Sequence, residues 1–340
     1  MATIKELKEL ALHAARGTAP AEYTASNVDE ALRGELTAMC SSINNFMRNR
    51  YDIYDIIIET ADEIVPTKVI DVMGSFAEIK SVPQGQKALF KRGLVGRNRA
   101  KKFLTQVGLS GLYETFRLDN ETFELGGHAI GGAAAIDFER FLDGAENMAD
   151  LMDIITEGLT DAVFGEVQKC LIAAADAVGR PEANLVSSNK FEADKMFKLV
   201  TTVKAYGGNA VIFAAPEFIG AMGADAIVPA IVGVAQGVYH QDDIDAIHKT
   251  GYIKIFRGTP VVEIPQSFVD ESNTETVIDP NYAYILPAGK EKVVKVVFEG
   301  NTQIRDLNNA DGSMEIHTYK KMGAAILTHH NWGIYRITKE

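Results

Sequence analysis

The densest group of metal-ligating residue types comprises His240, Asp242, Asp243, Asp245 and His248, which fall within nine residues. Imidazole and carboxylate groups are common ligands of divalent transition metals. On a helix, Asp245 would lie near His248, and Asp242 near Asp245. The spacing matches neither His-Glu-x-x-His nor a calcium-binding EF-hand loop. We therefore interpret the segment as the exposed acidic start of a helix, and keep a metal-dependent hydrolase that uses these five residues as an alternative.

Other patterns that carry chemistry are weaker. His329 and His330 are adjacent in a predicted strand, so their rings point to opposite faces and cannot share a metal unless a bulge intervenes. No Gly-x-Ser-x-Gly elbow occurs. Gly126-Gly127-His128-Ala129-Ile130-Gly131-Gly132 fits no phosphate-binding loop, and we interpret it as a hinge. We therefore predict no catalytic residue, no metal ligand and no cofactor, and a protein that is not an enzyme.

Composition places the chain among soluble globular proteins. Its 340 residues, with a mass of 37.0 kDa, predict about two domains or one large one. Hydrophobic residues make up 46% and charged residues 24%, enough to build a core. No apolar run is long enough to span a membrane, and the first residues do not form a signal peptide. Cys40 and Cys170 cannot build a disulfide scaffold, so we expect buried free thiols in a reducing compartment.

Charge is unevenly distributed along the chain. The net charge is −12, yet residues 80–102 carry eight lysines and arginines and no acid, which leaves −20 for the other 317 residues. Three interpretations compete: a solvated loop, a nucleic-acid patch, and a projecting arm that docks on the acidic surface of another copy. Few aromatic residues accompany the basic ones, which disfavours nucleic acid, as does the acidic remainder. We favour the docking arm, because opposite charges on one chain are complementary between copies.

The elements that would position this arm follow from apolar spacing. Residues 1–16 predict an amphipathic helix, and a second helix starts near Asn27 and ends at Pro66. Residues 69–79 and 112–125 read as extended segments on either side of the glycine-rich basic stretch, which predicts a long two-stranded excursion. Because a lone hairpin is marginally stable in water, we expect neighbouring molecules to supply the surface on which it and the amino-terminal helix lie.

The second half of the chain predicts one very long helix followed by mixed structure. The helix spans residues 137–176, roughly 60 Å, with Glu139, Glu146, Asp150 and Asp153 on its solvated side. Residues 190–290 predict a compact α/β unit. The last fifty residues predict strands at 293–298, 314–318 and a final run at 322–337.

The order of these parts resembles the HK97-like major capsid protein of tailed bacteriophages. Three phrases are similar to the family's axial strand pair, the strand that follows it and its closing strand: Tyr252-Ile-Lys-Ile-Phe-Arg-Gly-Thr-Pro-Val-Val-Glu-Ile-Pro265, Tyr282-Ala-Tyr-Ile-Leu286 and Met322-Gly-Ala-Ala-Ile-Leu-Thr-His-His-Asn-Trp-Gly-Ile-Tyr-Arg-Ile337. The resemblance implies an α+β capsid fold with an N-terminal arm region at 1–65, an extended loop and flanking strands at 66–135, a spine helix of the peripheral domain at 136–184, an axial domain at 185–290 and closing peripheral strands at 291–340.

By this resemblance the chain is expected to self-assemble into hexamers and pentamers of an icosahedral phage head that encloses double-stranded DNA. The expected intersubunit contacts come from Lys87, Lys91, Arg92, Arg97, Arg99, Lys101 and Lys102. The short amino-terminal region favours a separate scaffolding protein; a portal and decoration or head-completion proteins are further expected partners. We expect no membrane partner, and DNA held by enclosure without sequence recognition. The expected location is the virion, assembled in the bacterial cytoplasm. An encapsulin-type nanocompartment shell is the nearest alternative.

Overall fold

The computed structural model describes most of the chain. The described residues are 3–20, 25–74, 76–92, 121–136, 148–177, 180–206, 208–227, 255–270, 272–289, 292–308, 314–326 and 330–338. Arg97, Arg99, Lys101 and Lys102, and the possible metal ligands at 240–248, lie outside them.

Helices occupy the amino-terminal third and the middle of the chain. They are α1 (Ile4–Arg16), α2 (Ala25–Met39), α3 (Ile43–Met73), α4 (Met148–Ala175), α5 (Ala193–Ala205) and α6 (Pro216–Ile227), with a short 3-10 turn at Glu182–Asn184. The described part of the predicted 137–176 helix is α4; residues 137–147 lie outside the described residues. None of the described helices is long and apolar enough to cross a bilayer.

The described strands form three sheets. They are β1 (Ala77–Val82), β2 (Ala88–Arg92), β3 (Glu121–Leu125), β4 (His128–Ile136), β5 (Leu185–Ser188), β6 (Asn209–Ala214), β7 (Ile255–Phe256), β8 (Thr259–Glu263), β9 (Tyr282–Ala288), β10 (Val294–Asn308), β11 (Met314–Ile326) and β12 (Gly333–Ile337). One sheet has the order β1-β10-β11-β4, a second β5-β12-β9-β6-β8-β7, and the third is the pair β2-β3.

One apolar core joins the two larger sheets. Val296 and Phe298 of the four-stranded sheet belong to the same buried cluster as Phe213 and Tyr284 of the six-stranded sheet. Apolar side chains of α3 and α4 complete this cluster, and Trp332, which is 1% exposed, lies within it. Burying apolar surface stabilises a fold by about 25 cal/mol per Å², so this shared core contributes most of the stability of the fold. The predicted division at residues 65, 135, 184 and 290 stays a prediction.

The predicted end of the second helix at Pro66 is wrong. Helix α3 runs through Pro66 to Met73, so residues 69–73 of the predicted strand 69–79 are helical and β1 begins only at Ala77. A proline inside a helix removes one backbone hydrogen bond and normally kinks or ends the helix. Here Val65, Val69 and Met73 are all buried in the shared core. Burial of this continuous apolar stripe offsets the missing hydrogen bond.

Helix α1 is covered by its own chain, contrary to the expectation that a neighbour must cover it. It begins with a capping box in which the Thr3 amide donates to Glu6 Oε2 at 2.8 Å, and it ends at Gly17 with a positive φ of 63°. Leu7 and Ala11 are buried in a cluster with residues of α2 and α3. Lys8 Nζ also lies 2.6 Å from Asp55 Oδ2 on α3.

The predicted hinge at Gly126–Gly132 is also wrong for most of its length. Residues 128–136 form the edge strand β4, which pairs with β11 in antiparallel register. A Cβ on Gly131 would lie 2.1 Å from the carbonyl oxygen of Thr318, so the small residue allows the two strands to approach. Gly131 is therefore needed for packing.

The predicted final strand at 322–337 is two strands in two different sheets. Met322–Ile326 belongs to β11 in the four-stranded sheet, whereas β12 pairs with β5 and β9 in the six-stranded sheet. The described part of the predicted α/β unit at 190–290 contains α5, α6, β6, β8 and β9, and β9 continues through Pro287 to Ala288. Cys40 and Cys170 are free; Cys40 is buried, which raises the pKa of its thiol to about 12, and Cys170 is half-buried.

Two adjacent glycines of β4 give a matched test of this packing. We expect Gly131→Ala to lower the free energy of unfolding by about 1–3 kcal/mol, because its Cβ meets backbone of β11. Gly132→Ala places its Cβ in open space and is expected to leave stability unchanged or slightly raised. Urea denaturation of both variants measures the difference. Equal stabilities would contradict the assigned β4–β11 register.

Candidate assembly surface

The two-stranded excursion predicted from the sequence begins as the pair β2–β3, which we call the arm root. Phe90 of β2 lies opposite Phe123 of β3 in an antiparallel register. Residues 93–120, which follow β2 and precede β3, lie outside the described residues. The extended segments that pair are thus 88–92 and 121–125. Strand β1, which overlaps the predicted flank 69–79 only at residues 77–79, pairs instead with β10 in parallel register.

The arm root rests on one face of the four-stranded sheet through Phe90, which is fully buried. Phe90 and Ala88 pack with Val297 of β10, and Val82 and Leu125 border this small cluster. The neighbouring Leu89 is 58% exposed, as expected for the opposite face of a strand. The root is therefore covered by its own chain, and the expectation of a neighbouring surface applies only to what lies beyond it.

Two lysine ammonium groups lie over the ring of Phe90. Lys80 Nζ is 4.4 Å from the ring centroid and Lys295 Nζ is 5.7 Å from it. Lys80 also donates to the carbonyl oxygen of Leu89 at 2.7 Å, and both lysines form ion pairs with Glu78. Burial acts to raise the pKa of the Glu78 carboxyl, but the hydrogen bond and charge of Lys295 prevail and hold it below its usual range. Lys80, although part of the basic window, is thus engaged within its own chain.

A buried carboxylate, Glu299 of β10, lies where the chain enters and leaves the arm root. Its Oε1 accepts from the Gly85 amide at 2.9 Å and lies 3.2 Å from Lys321 Nζ of β11. The Gly127 amide, just after β3, also hydrogen-bonds to this carboxylate. These donors, led by the Gly85 amide and then Lys321, lower the pKa of Glu299. The carboxylate therefore stays ionised and is bound to the segments that precede β2 and follow β3.

The predicted contact residues that the structure describes, Lys87, Lys91 and Arg92, lie in β2 or immediately before it. Lys87 is 65% exposed and its Nζ lies 3.7 Å from Glu124 Oε2, a separation that contributes little to stability. Lys91 is exposed and stands opposite Thr122, and Arg92 stands opposite Glu121 in the register. Of the seven predicted contacts, the arm root thus brings three together; the other four lie in 93–102, outside the described residues.

An acidic patch lies on α2 and α4, formed by Asp29, Asp150, Asp153 and Glu157. Arg33 ion-pairs with Asp29 at 2.9 Å and with Asp150 at 2.7 Å. Burial raises the pKa of the Asp153 carboxyl, and the charges of Asp29, Glu157 and Asp150 raise it further against the opposing effect of Arg33. The four carboxylates are therefore crowded, and a cation placed beside them would relieve their repulsion.

An apolar groove of about 290 Å³ runs beside this patch, between α4 and β4. It is open because Gly132 and Gly158, on facing walls, have no side chains; a Cβ on either would meet no atom within 4 Å. The buried hydroxyl of Thr318 lines the groove without a hydrogen-bond partner among the described residues. Ile154, on the α4 wall, is 66% exposed.

Sequence reasoning missed Glu299, Asp29 and the groove. The charge of Glu299 at the end of an apolar strand pattern was the available signal, because a carboxylate there needs partners. The cluster at 240–248 lies outside the described residues, as does His329; His330 is exposed. No group of three or more potential metal ligands occurs in the part of the chain that the structure describes.

The comparisons with known proteins decide the family. A family model described as "SPbeta prophage-derived putative capsid protein YonB" matches residues 10–336, nearly the whole chain. The chain belongs to the YonB capsid protein family. No curated protein matches it.

Solved structures similar to this YonB family member include phage capsids and an encapsulin. The capsid protein of cyanophage P-SCSP1u is 11% identical in sequence, and the match covers 79% of this chain and 88% of the cyanophage chain with a TM-score of 0.51. The head protein of Helicobacter pylori bacteriophage KHP40 is 10% identical in sequence, and the match covers 78% of this chain and 89% of the KHP40 chain with a TM-score of 0.50. The SrpI encapsulin of Synechococcus elongatus is 13% identical in sequence, and the match covers 82% of this chain and 89% of the encapsulin chain with a TM-score of 0.47. The predicted α+β, HK97-like capsid fold is confirmed, and the YonB family member is a phage-type capsid protein of the virion.

Phe90 allows a direct test of how the arm root is held in this family member. We expect Phe90→Ala to remove an anchor worth about 3–5 kcal/mol and to speed amide exchange in 88–92 and 121–125. Leu89→Ala, at the exposed neighbouring position, is the control and should leave exchange near that of the wild type. Similar exchange in both variants would show that Phe90 does not hold the root.

Proposed function

We propose that this chain is the major capsid protein of a phage head, and that it self-assembles into hexamers and pentamers of an icosahedral shell around double-stranded DNA. The observation that carries the proposal is a basic arm rooted on the four-stranded sheet of a chain whose family is a capsid family. Lys87 and Lys91 are exposed on its root, and Lys87 lies 3.7 Å from the exposed carboxylate of Glu124.

The acidic patch is the docking surface that we propose for the arm of a second copy. Within the described residues, its four carboxylates are opposed by the guanidinium of Arg33, which pairs with Asp29 and Asp150. The arm supplies Lys87, Lys91 and Arg92 at its root and Arg97, Arg99, Lys101 and Lys102 beyond it. Opposite charges of this kind speed the encounter and fix the register of two copies, and contribute less to affinity.

The apolar groove beside the patch supports the same contact. Leu94, Val95, Phe103 and Leu104 are interspersed with the basic residues of the arm. A groove walled by α4 and β4, with Ile154 exposed at its border, offers burial for one or two such side chains. Each buried apolar side chain would contribute about 1.5–3 kcal/mol. Single contacts of this size are weak, but a closed symmetric shell repeats them in every copy.

The remaining partners follow from the proposed role. A scaffolding protein, a portal and decoration or head-completion proteins would act on the shell, which would assemble in the host cytoplasm. The DNA would be enclosed without sequence recognition, because a chain of net charge −12 repels phosphates. The role needs no catalytic residue and no cofactor.

Electron microscopy of the purified full-length chain tests the proposal. We expect closed shells with hexameric and pentameric units. A chain that stays monomeric under all assembly conditions, or shells isolated from cells with an enzyme as cargo and no DNA, would contradict a phage head. The second result would favour the encapsulin-type alternative.

Charge reversal tests the docking arm itself. We expect Arg97, Arg99, Lys101 and Lys102, all replaced by Glu, to reduce the assembled fraction at least tenfold while the chain stays folded, because four attractive charges become repulsive. Lys87→Glu with Lys91→Glu should reduce assembly less. Sedimentation velocity measures assembly, and circular dichroism measures folding.

Charge-conserving variants are the matched controls for this prediction. Arg97→Lys with Arg99→Lys, and Lys87→Arg with Lys91→Arg, keep the charge of the arm and should assemble normally. The assembly of wild-type chains should also weaken as salt is raised, since exposed charges are screened. Normal shells from the fourfold reversal would disprove docking by charge.

A further inference from the structure

The two segments of chain that lead into and out of the arm root meet at a single side chain. Glu299 accepts from Gly85, three residues before β2, and from Gly127, two residues after β3. The carboxylate is 7% exposed, and its third partner is Lys321 on the neighbouring strand β11. A carboxylate offers about four acceptor positions, so one side chain can hold all three donors.

The backbone around Glu299 is shaped to bring these donors to it. The register of β10 against β11 shifts immediately after Glu299, where Gly300 has a φ of +68°. A Cβ on Gly300 would lie 3.0 Å from the Cβ of Gln84, so the glycine admits the turn that ends at Gly85. Gly85 itself has a φ of +81°, which points its amide at the carboxylate.

The returning segment is admitted in the same way. A Cβ on Gly323 of β11 would lie 2.4 Å from the carbonyl oxygen of Gly126. A Cβ on Gly127 would lie 3.4 Å from Glu299 Oε2 and 3.2 Å from the Met322 amide nitrogen. The entering and returning segments are thus both packed against β10 and β11 at the level of Glu299.

Phe90 and Glu299 fix the arm root in different ways. Phe90 packs with Ala88 on Val297, and this apolar cluster holds β2 against the sheet together with the hydrogen bond from Lys80 to the carbonyl oxygen of Leu89. The hydrophobic part of this contact is non-directional, and the Lys80 bond reaches β2 through a long, flexible side chain. Hydrogen bonds from two amides to one carboxylate are directional, and the charge on the acceptor makes them stronger than bonds to a neutral group.

We propose that Glu299 is the positioning residue that sets the direction in which the arm leaves the four-stranded sheet. It holds both segments of the excursion in one orientation, so that the arm of an unassembled copy is already directed toward its docking surface. Preorganisation of this kind reduces the ordering cost at the moment of association. The inference rests on the proposed function, since it assumes that the arm docks on another copy.

Glu299→Gln is the decisive variant, because it keeps the shape of the side chain and removes one charged acceptor. Opening of the root should become at least about tenfold more frequent, since a hydrogen bond to a charged group is lost and another is weakened. We expect amide exchange of Gly85 and Gly127 in the full-length, unassembled chain to rise by that factor. Assembly at limiting protein concentration should fall several-fold, and exchange within β10 and β11 should stay unchanged.

Two matched variants separate positioning from general charge loss. Glu124→Gln removes an exposed carboxylate of the arm root and should change neither readout. Lys321→Gln removes the ion pair but leaves both amide donors on Glu299, so exchange at Gly85 and Gly127 should rise less than in Glu299→Gln. Glu299→Asp keeps the charge at a shorter reach and should recover part of the assembly.

The outcomes distinguish this inference from the function on which it rests. Unchanged exchange at Gly85 and Gly127 in Glu299→Gln would overturn the inference whatever the assembly shows. The inference would also be overturned if Glu299→Gln exchanges faster but assembles normally, while the charge reversals in the arm still block assembly. Faster exchange with normal assembly in both Glu299→Gln and the charge reversals would overturn the docking arm itself.

Discussion

The antiparallel pairing of β10 with β11 is the constraint on which the rest of the structure depends. Successive residues of a strand face opposite sides, so β10 carries two different surfaces. Val294, Val296 and Phe298 enter the core shared with the six-stranded sheet, whereas Lys295, Val297 and Glu299 face the arm root. A shift of β10 by one residue would turn each side chain to the opposite face, so the contacts with the shared core and those with the arm root would both be lost.

The arm-facing side of β10 uses three kinds of interaction in sequence order. Lys295 places its ammonium over the ring of Phe90, Val297 packs against that ring, and Glu299 binds the amides on either side of the root. In the parallel register with β1, Glu78 and Lys80 stand beside Lys295 and Val297. The chain thus holds the root with a compact apolar contact surrounded by paired charges. Each buried charge has a partner, as burial requires.

Local patterns predicted most of the elements, and distant contacts account for what they missed. The stripe Val65, Val69 and Met73 has helical spacing, but Pro66 locally predicts a stop, and only burial against the sheets reverses that outcome. Gly131 in a glycine-rich segment locally indicates flexibility, and only the close approach of β11, where a Cβ would meet the carbonyl oxygen of Thr318, explains the glycine by packing. The bond between Glu299 and Gly85 joins residues 214 positions apart, and no local pattern encodes such a pairing. The basic window at 80–102 was recognisable because charge can be counted without knowing the fold, and its role as a docking arm stays a prediction.

The charges of the basic window fall into two groups with different physical roles. Lys80 lies under the arm root, where Glu78 and the face of Phe90 compensate its charge. Lys87 and Lys91 are exposed, and the 3.7 Å separation of Lys87 from Glu124 leaves its charge largely available. Lys80 therefore stabilises the fold of its own chain, whereas Lys87 and Lys91 remain exposed at the arm root. The crowded carboxylates around Arg33 are the complementary surplus on the same chain. If the arm docks on a second copy as we propose, these opposite charges would compensate each other between copies.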